Sequence, residues 1–338
     1  MREMGKVAYW TRIEFENTLA AEKEAWLKKL VQSLPDGFSY KGLTAFERFG
    51  SALETGIFLY EDCEFVFVPG NAATLGWEKW QDGMDEATEE EFRAVLNEYD
   101  VEDGTLFLKS MMSPVRNADI PPMLAERYAR PIGWIEISDQ DEEAYDYEDF
   151  HEELEKFKNS SYNEYTCYNS FKFVREQDAV RCYVFDEELT YEGLVEELSS
   201  EGFGLPTEDQ WEYLFGGGCR TLFPWGDSFD YSLRVKYFGN ENEEKPTGKN
   251  DEDSYDLEKP NGFGLCFAGD PYQYELISGE TSYLLKGGDG GAMLCGGSGL
   301  LMGYLPAVAP YYRDPYAQEL DWEDLLDHLS IRRVVVLK

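Results

Sequence analysis

Residues 202–227 read GFGLPTEDQWEYLFGGGCRTLFPWGD, and their spacing defines one helix with both ends marked. Thr207 followed three positions later by Gln210 is a capping box, in which the threonine oxygen takes a backbone N–H and the glutamine reaches back. Pro206 holds the preceding residue extended. Trp211, Leu214 and Phe215 fall on one face, which is expected to be buried, and Gly216 to Gly218 stop the helix. The FPWGD that follows is a turn whose large rings are expected to cover that face. These features describe architecture; none of them carries chemistry.

Outward from this stretch, the alternation of patterns gives an α+β chain. On the N-terminal side, residues 16–34 carry Leu19, Trp26, Leu27, Leu30 and Val31 at helical spacing, closed by Pro35, Asp36 and Gly37. A second helical pattern is read in LTAFERFGSALE (43–54), so residues 1–58 form an N-terminal helical extension. Residues 56–70 read as two strands joined at Glu61 and Asp62. DEATEEEFRAVLNEYD is an acidic amphipathic helix with Phe92, Val95 and Leu96 inward. PPMLAERYARPIGW is read as a helix opened by Pro121 and Pro122. AVRCYVF is a strand, TYEGLVEELSSEG a helix stopped at Gly202, and IRRVVVLK a closing strand. Between them, residues 139–165 form the densest charge run, read either as an exposed acidic helix after a loop or as an acidic insertion into a domain spanning 59–338. Residues 238–262 are loop-like.

The chain has 338 residues with 43% hydrophobic composition, 23 Tyr, 21 Phe and 8 Trp. That is ample for a packed core and excludes a disordered acidic polymer. Acidic residues outnumber basic ones 68 to 30, a formal charge of −38. Such a field repels nucleic acid and anionic membranes and attracts cationic partners. No stretch is long and apolar enough to span a bilayer, and MREMGKVAYWTRIEFEN lacks a signal-peptide core, so a cytoplasmic location is expected. Six widely spaced cysteines without a CxxC are expected to be reduced and mostly buried. Two histidines, His151 and His328, argue against histidine-rich metal sites.

The blocks from 202 onward follow the order of a known family. FVFVPGNAATLGW (65–77), GLPTEDQWEYLFGGG, FPWGD, NGFGLCFAGDPYQYE (261–275), KGGDG (286–290) and SIRRVVVL resemble the motifs of the formylglycine-generating, sulfatase-modifying family. The resemblance is strong over 202–338, weaker over 60–200 and absent before residue 55. It implies a variant of the C-type-lectin fold. Catalytic members bind Cu(I) through two cysteines five positions apart, since two soft thiolates suit that ion. Here Cys295 lies near the first position and Leu300 stands at the second, so the resemblance implies a scaffold without that oxidase chemistry and a buried, structural Cys295. A three-histidine iron site, as in a related branch, fails on the histidine count. The family's calcium position aligns with Asp270 and Gln273, a weak Ca²⁺ candidate assisted by acid-rich loops such as NDEDSYD (250–256). No other cofactor is expected. The glycine-rich tract contains neither a phosphate-cradle motif nor a nucleophile elbow around Ser298, and in the family such a tract is a loop where chains cross closely.

Two functions follow. The first is a non-catalytic protein-binding module for a basic protein, in the form of an immunity or inhibitor protein. Its contact candidates are Tyr304, Tyr311, Tyr312, Tyr316 and Trp322, because rigid amphipathic rings suit recognition surfaces. The second is a divergent metal- or thiol-dependent oxidoreductase using Cys295. A subunit that holds another complex together is not separable from the first by sequence.

Overall fold

A computed structural model describes residues 10–176, 179–238 and 254–337. With 31% helix and 29% strand in several sheets, the chain is α+β. The elements run α1 (Arg12–Glu16), α2 (Ala20–Leu30), β1 (Phe38–Arg48), β2 (Ser51–Tyr60), β3 (Cys63–Val68), β4 (Asn71–Leu75), α3 (Glu86–Glu98), α4 (Gly104–Ser110), β5 (Arg116–Ile120), β6 (Met123–Glu126) and β7 (Arg130–Pro131). Next come β8 (Trp134–Ile137), α5 (Phe150–Lys158), β9 (Glu164–Cys167), β10 (Phe171–Glu176), β11 (Ala179–Phe185), α6 (Tyr191–Ser200) and α7 (Glu208–Gly216). The chain closes with β12 (Tyr274–Ser278), β13 (Tyr283–Lys286), α8 (Ala292–Cys295), α9 (Gly299–Val308), α10 (Trp322–Leu325), β14 (Leu329–Ile331) and β15 (Val334–Val336). It divides into two compact units: a larger one of Met1–Arg130, Val195–Glu319 and Ser330–Lys338, and a smaller one of Pro131–Leu194 and Leu320–Leu329.

In the larger unit, a five-stranded sheet has the order β1-β2-β3-β6-β15. Its strands are antiparallel throughout, and the C-terminal β15 pairs with β6 at Val334↔Ala125. Phe58, Phe65, Phe67, Leu124 and Met123 are fully buried on it. Each large apolar side chain so placed contributes about 1.5–3 kcal/mol. Phe15 of α1 and Trp26 of α2 lie with their ring centroids 5.0 and 5.2 Å from that of Phe67.

Three helical expectations are corrected here. Residues 43–54 form the β1–β2 hairpin, not a helix. Phe49 and Gly50 have φ of +53° and +73°, so the two-residue turn has the left-handed sense that matches strand twist. Phe46, Phe49 and Leu53 mimic helical spacing only because the turn falls between them. Consequently residues 1–58 are not a separate helical extension. Arg12 donates to the Gly217 carbonyl (3.3 Å) and to Ser51 Oγ (3.1 Å), and β1 and β2 complete the main sheet. The stretch read as a helix after Pro121 supplies β6, β7 and β8 instead. Met-Leu-Ala-Glu has helical propensity, but pairing of β6 with β3 and β15 at once overrides it.

Other expectations hold. α2, α3, α6 and β11 fall where periodicity put them, and β2 meets β3 at Glu61–Asp62. α7 carries the capping box: Gln210 N–H donates to Thr207 Oγ1 (3.4 Å) and Thr207 N–H to Gln210 Oε1 (2.9 Å). Gly217, at φ +64°, ends it in the left-handed conformation. Trp211 and Leu214 are buried as expected, while Phe215 is half-buried. The FPWGD rings reach that face only at Phe215, with which Pro224 and Trp225 line a small cavity. Phe223 stacks on Trp225 (5.2 Å), and Trp225 meets Phe49 (4.8 Å). Trp211 stacks on Phe215 (5.0 Å) and meets Phe267 edge-on (5.7 Å).

The smaller unit is a four-stranded antiparallel sheet of order β8-β11-β10-β9 with α5 on one face. Phe150, Leu154 and Phe157 of α5 interlock with Phe171, Phe173, Cys182 and Val184. The acidic run of 139–165 thus supplies a helix and the start of an edge strand, with its apolar positions inward and its acids outward. Of the loop-like stretch 238–262, residues 239–253 lie outside the described residues, as does the first part of NDEDSYD.

Candidate functional site

The end of α7 and the strands beneath it hold a buried ionic lattice. Glu212, fully buried, accepts from Lys286 Nζ and from Arg116 Nη2, both at 3.0 Å. Arg116 also bonds Asp209, and Arg313 bonds Glu208. Glu208 is held below the usual carboxylate range by Arg313, Lys286 and Arg116, against the opposing effect of its burial. Arg332, also fully buried, donates to Glu275 (2.7 Å) and to the carbonyls of Glu126, Arg127 and Cys266. Trp211 Nε1 donates to the same Glu275 carboxylate at 2.9 Å. Arg333 pairs with Glu126 (2.9 Å). Each fully buried charge of this lattice has its counter-charge and its hydrogen bonds, which is the condition for burying it. Asp227 of FPWGD is likewise structural, accepting the N–H groups of Gln81, Asp82 and Leu222.

The glycine tract crosses close to other backbone. A Cβ on Gly288 would lie 2.1 Å from the Gln273 carbonyl oxygen, so only glycine fits there. Asp289 follows, buried among the N–H groups of Gly291 and Met293. Its pKa is pushed up to about 6, by burial first and then by the Asp314 charge.

Cys295 ends the single turn α8 and is exposed, correcting the expectation of a buried thiol. α8 is a single turn that packs Leu294 toward Gly303 of α9 and leaves Cys295, at its end, outward. Its Sγ lies 3.0 Å from Tyr272 Oη, which raises the tyrosine's pKa. Leu300 is half-buried on α9. All six cysteines are free; only Cys182 and Cys266 are buried, so the mostly-buried expectation fails.

Tyr304, Tyr311 and Tyr312 are buried to 2% exposure or less and cannot form a contact surface. Leu301–Val308 of α9 are buried residue after residue, and a helix apolar on all sides belongs to a core. Tyr311 donates to the Cys219 carbonyl. The Tyr304 hydroxyl is buried with no hydrogen bond among the described residues. Trp322 is half-buried and donates to the Leu189 carbonyl (2.7 Å). Of the five candidates only Tyr316, at 64%, is exposed.

Asp270 and Gln273 do not fit calcium. The Asp270 carboxylate already accepts from Tyr237 Oη (3.0 Å), Tyr272 N–H (3.0 Å) and Lys236 Nζ (3.4 Å). A lysine ammonium occupies the place of a cation, and the donor set is wrong for one. Gln273 meets Asp270 through its own N–H, not as a side-chain ligand. Among the described residues no group of three His, Cys, Asp or Glu side chains could hold a metal.

What sequence reasoning missed is where the charge lies. The smaller unit carries 22 Asp and Glu but 5 Lys and Arg. Lys156 pairs with Glu152 and Glu153, Lys158 with Asp139 and Glu155, and Arg181 with Glu136. Lys172 sits over the Trp134 ring (4.5 Å), and Arg175 donates to the Phe157 carbonyl (2.8 Å). All five cations are used internally. Asp146, Glu148, Glu187 and Glu188 are among the carboxylates left exposed. The only sequence signal was the run at 139–165; the acids of 186–192 and 321–327 join it in this unit only through the fold.

Among the described residues no helix is long and apolar enough to cross a membrane. Compared with models of known protein families and with curated proteins, the chain matches none.

Proposed function

We propose that this chain is a non-catalytic protein-binding module, built on a formylglycine-generating-enzyme-like variant of the C-type-lectin fold, that recognises a basic protein. An immunity or inhibitor protein that masks a cationic effector in the cytoplasm is the concrete form. The observation that carries it is the smaller unit's unbalanced charge, 22 acids to 5 bases with every base engaged inside the unit. A face of that kind steers a cationic partner and rejects anionic ones. The aromatic positions first proposed for contact are mostly core, so the reading rests on charge, with Tyr316 as the one exposed ring among them. Capture from the source cell tests it. Retained proteins of high isoelectric point that elute as salt rises support it; acidic partners, or capture indifferent to salt, overturn it.

The exposed Cys295 with its Tyr272 contact favours a second reading, a divergent thiol-dependent oxidoreductase. Labelling with a thiol reagent across pH, together with metal analysis, separates the two. A thiol that reacts well below the ordinary cysteine range, or a stoichiometric bound metal, favours the enzyme. An unactivated thiol favours the binding module.

A further inference from the structure

The four-stranded sheet of the smaller unit has two edges, β8 and β9. The N–H of Arg175 donates to the Asn163 carbonyl (2.8 Å), and Phe173 faces Tyr165 in register. In an antiparallel ladder, residues two apart share the same hydrogen-bonding direction. Asn163, Tyr165 and Cys167 therefore face β10, while the N–H and C=O of Glu164 and Thr166 face outward. Among the described residues, no group hydrogen-bonds to the main chain of either one. Both residues are exposed, and Tyr162 and Tyr168, at 70% and 65% exposure, flank the strand.

Edge strands are ordinarily blunted by a bulge, a lysine, a proline or an overlying element. The edge of the five-stranded sheet shows this: β1 slips register between Tyr40 and Gly42 and carries Lys41 there. In the smaller unit, β8 follows Pro131 and Gly133, and the outward N–H just past its end, that of Ser138, is taken by Asp141 Oδ2 (2.7 Å). β9 reads Glu-Tyr-Thr-Cys, with no lysine, proline, glycine or register slip.

We propose that β9 receives an extended, basic segment of a partner protein as a fifth strand. This rests on the basic-partner reading above and names the mode of recognition. Backbone pairing supplies affinity without sequence demands, and side chains at alternate positions supply selection. Glu164 selects a lysine or arginine directly across from it, and Thr166 a threonine or β-branched residue. A second copy of this chain is disfavoured as the occupant. Two such units would bring 22 acids each against 5 bases, and Glu164 would find no cation on a copied β9.

The test uses the full chain and two peptides of about eight residues. One alternates lysine with valine or threonine; the other has equal charge but proline at every second position, and cannot form a ladder. Binding by fluorescence anisotropy is combined with amide exchange at Glu164 and Thr166. The proposal expects the first peptide to bind at least about tenfold tighter. It also expects exchange at both amides to slow, and both effects to vanish in Thr166→Pro. That substitution removes an outward N–H and leaves the β10 ladder intact. Should it fail to fold, Glu164→Lys must weaken the first peptide by a larger factor than the second. Equal binding of both peptides with unchanged exchange overturns strand addition and leaves the basic-partner reading standing. No binding of either peptide at low salt overturns both. Protection at Trp134 and Glu136 instead, or self-association through β9, overturns the proposal.

Discussion

Residues Pro131–Leu194 with Leu320–Leu329 carry 22 acids against 5 bases, whereas the other 264 residues carry 46 against 25. The difference extends to how charge is used. In the larger unit Arg116, Lys286, Arg313, Arg332 and Arg333 are locked onto Glu208, Asp209, Glu212, Glu275 and Glu126, several of them fully buried. There, the charges of Glu212, Glu275, Arg332, Arg333 and Glu126 are packing devices, paired and buried. In the smaller unit the core is built from Phe150, Phe157, Phe171 and Phe173, and the carboxylates remain outside. A formal charge of −38 is therefore an uneven property of the chain. The larger unit buries part of its charge in paired ions, whereas the smaller unit packs its core with rings and keeps its carboxylates at the surface.

The largest effects fall on the buried lattice. Arg332→Met leaves Glu275 and three carbonyls facing a hydrocarbon and is expected to cost about 3–5 kcal/mol, read by urea unfolding. If the loss is under about 1 kcal/mol, the lattice is not what holds the larger unit. In the smaller unit the corresponding change is Phe173→Ala. It opens a cavity under α5 and is expected to cost about 3 kcal/mol, seen in the unfolding of that unit.

Asp289 offers a pH test. Its folded pKa of about 6 stands above the ordinary 3.8, so its contribution to stability is fully present below about 3.8 and is lost as pH rises through 6. Glu208 and Glu64 are shifted down instead, so their contribution is lost only as pH falls below the ordinary carboxylate range. The window from about pH 5 to 7 thus isolates Asp289. Wild type is expected to lose about 1.3 kcal/mol across it, and Asp289→Asn to lose little. Parallel profiles would contradict the assignment. A smaller change, about 1 kcal/mol, is expected for Thr207→Ala, from loss of the α7 cap, and a shifted Tm would show it.

Much of this was legible in the sequence, and the failures share a cause. The α7 cap, the β2–β3 hairpin and β11 were readable because their signals are local: a capping pair, a two-residue break, a β-branched run. The β1–β2 hairpin was not, because Phe46, Phe49 and Leu53 imitate a helical face unless the left-handed turn at Phe49 and Gly50 is known. β6 was hidden because its strand state comes from two neighbours distant in sequence. For the site, Cys295 and Asp270 were located, but exposure of one and the Lys236 partner of the other are tertiary facts. The tyrosines of 304–312 were read as surface because polar rings suggest it, although GLLMGYLPAVAPYY has the unbroken apolar character of a core helix.

If the smaller unit's exposed carboxylates recognise a cation-rich protein, as proposed, removing them must weaken binding to polycations. Replacing Asp146, Glu148, Glu187 and Glu188 with their amides removes four such charges from the surface and is expected to change stability by less than about 0.5 kcal/mol. Affinity for polylysine, measured between about 0.05 and 0.3 M salt, is the direct test. Wild type should weaken at least about tenfold over that range, and the amide variant should bind more weakly at low salt with a shallower salt slope. Identical curves for the two proteins would contradict it.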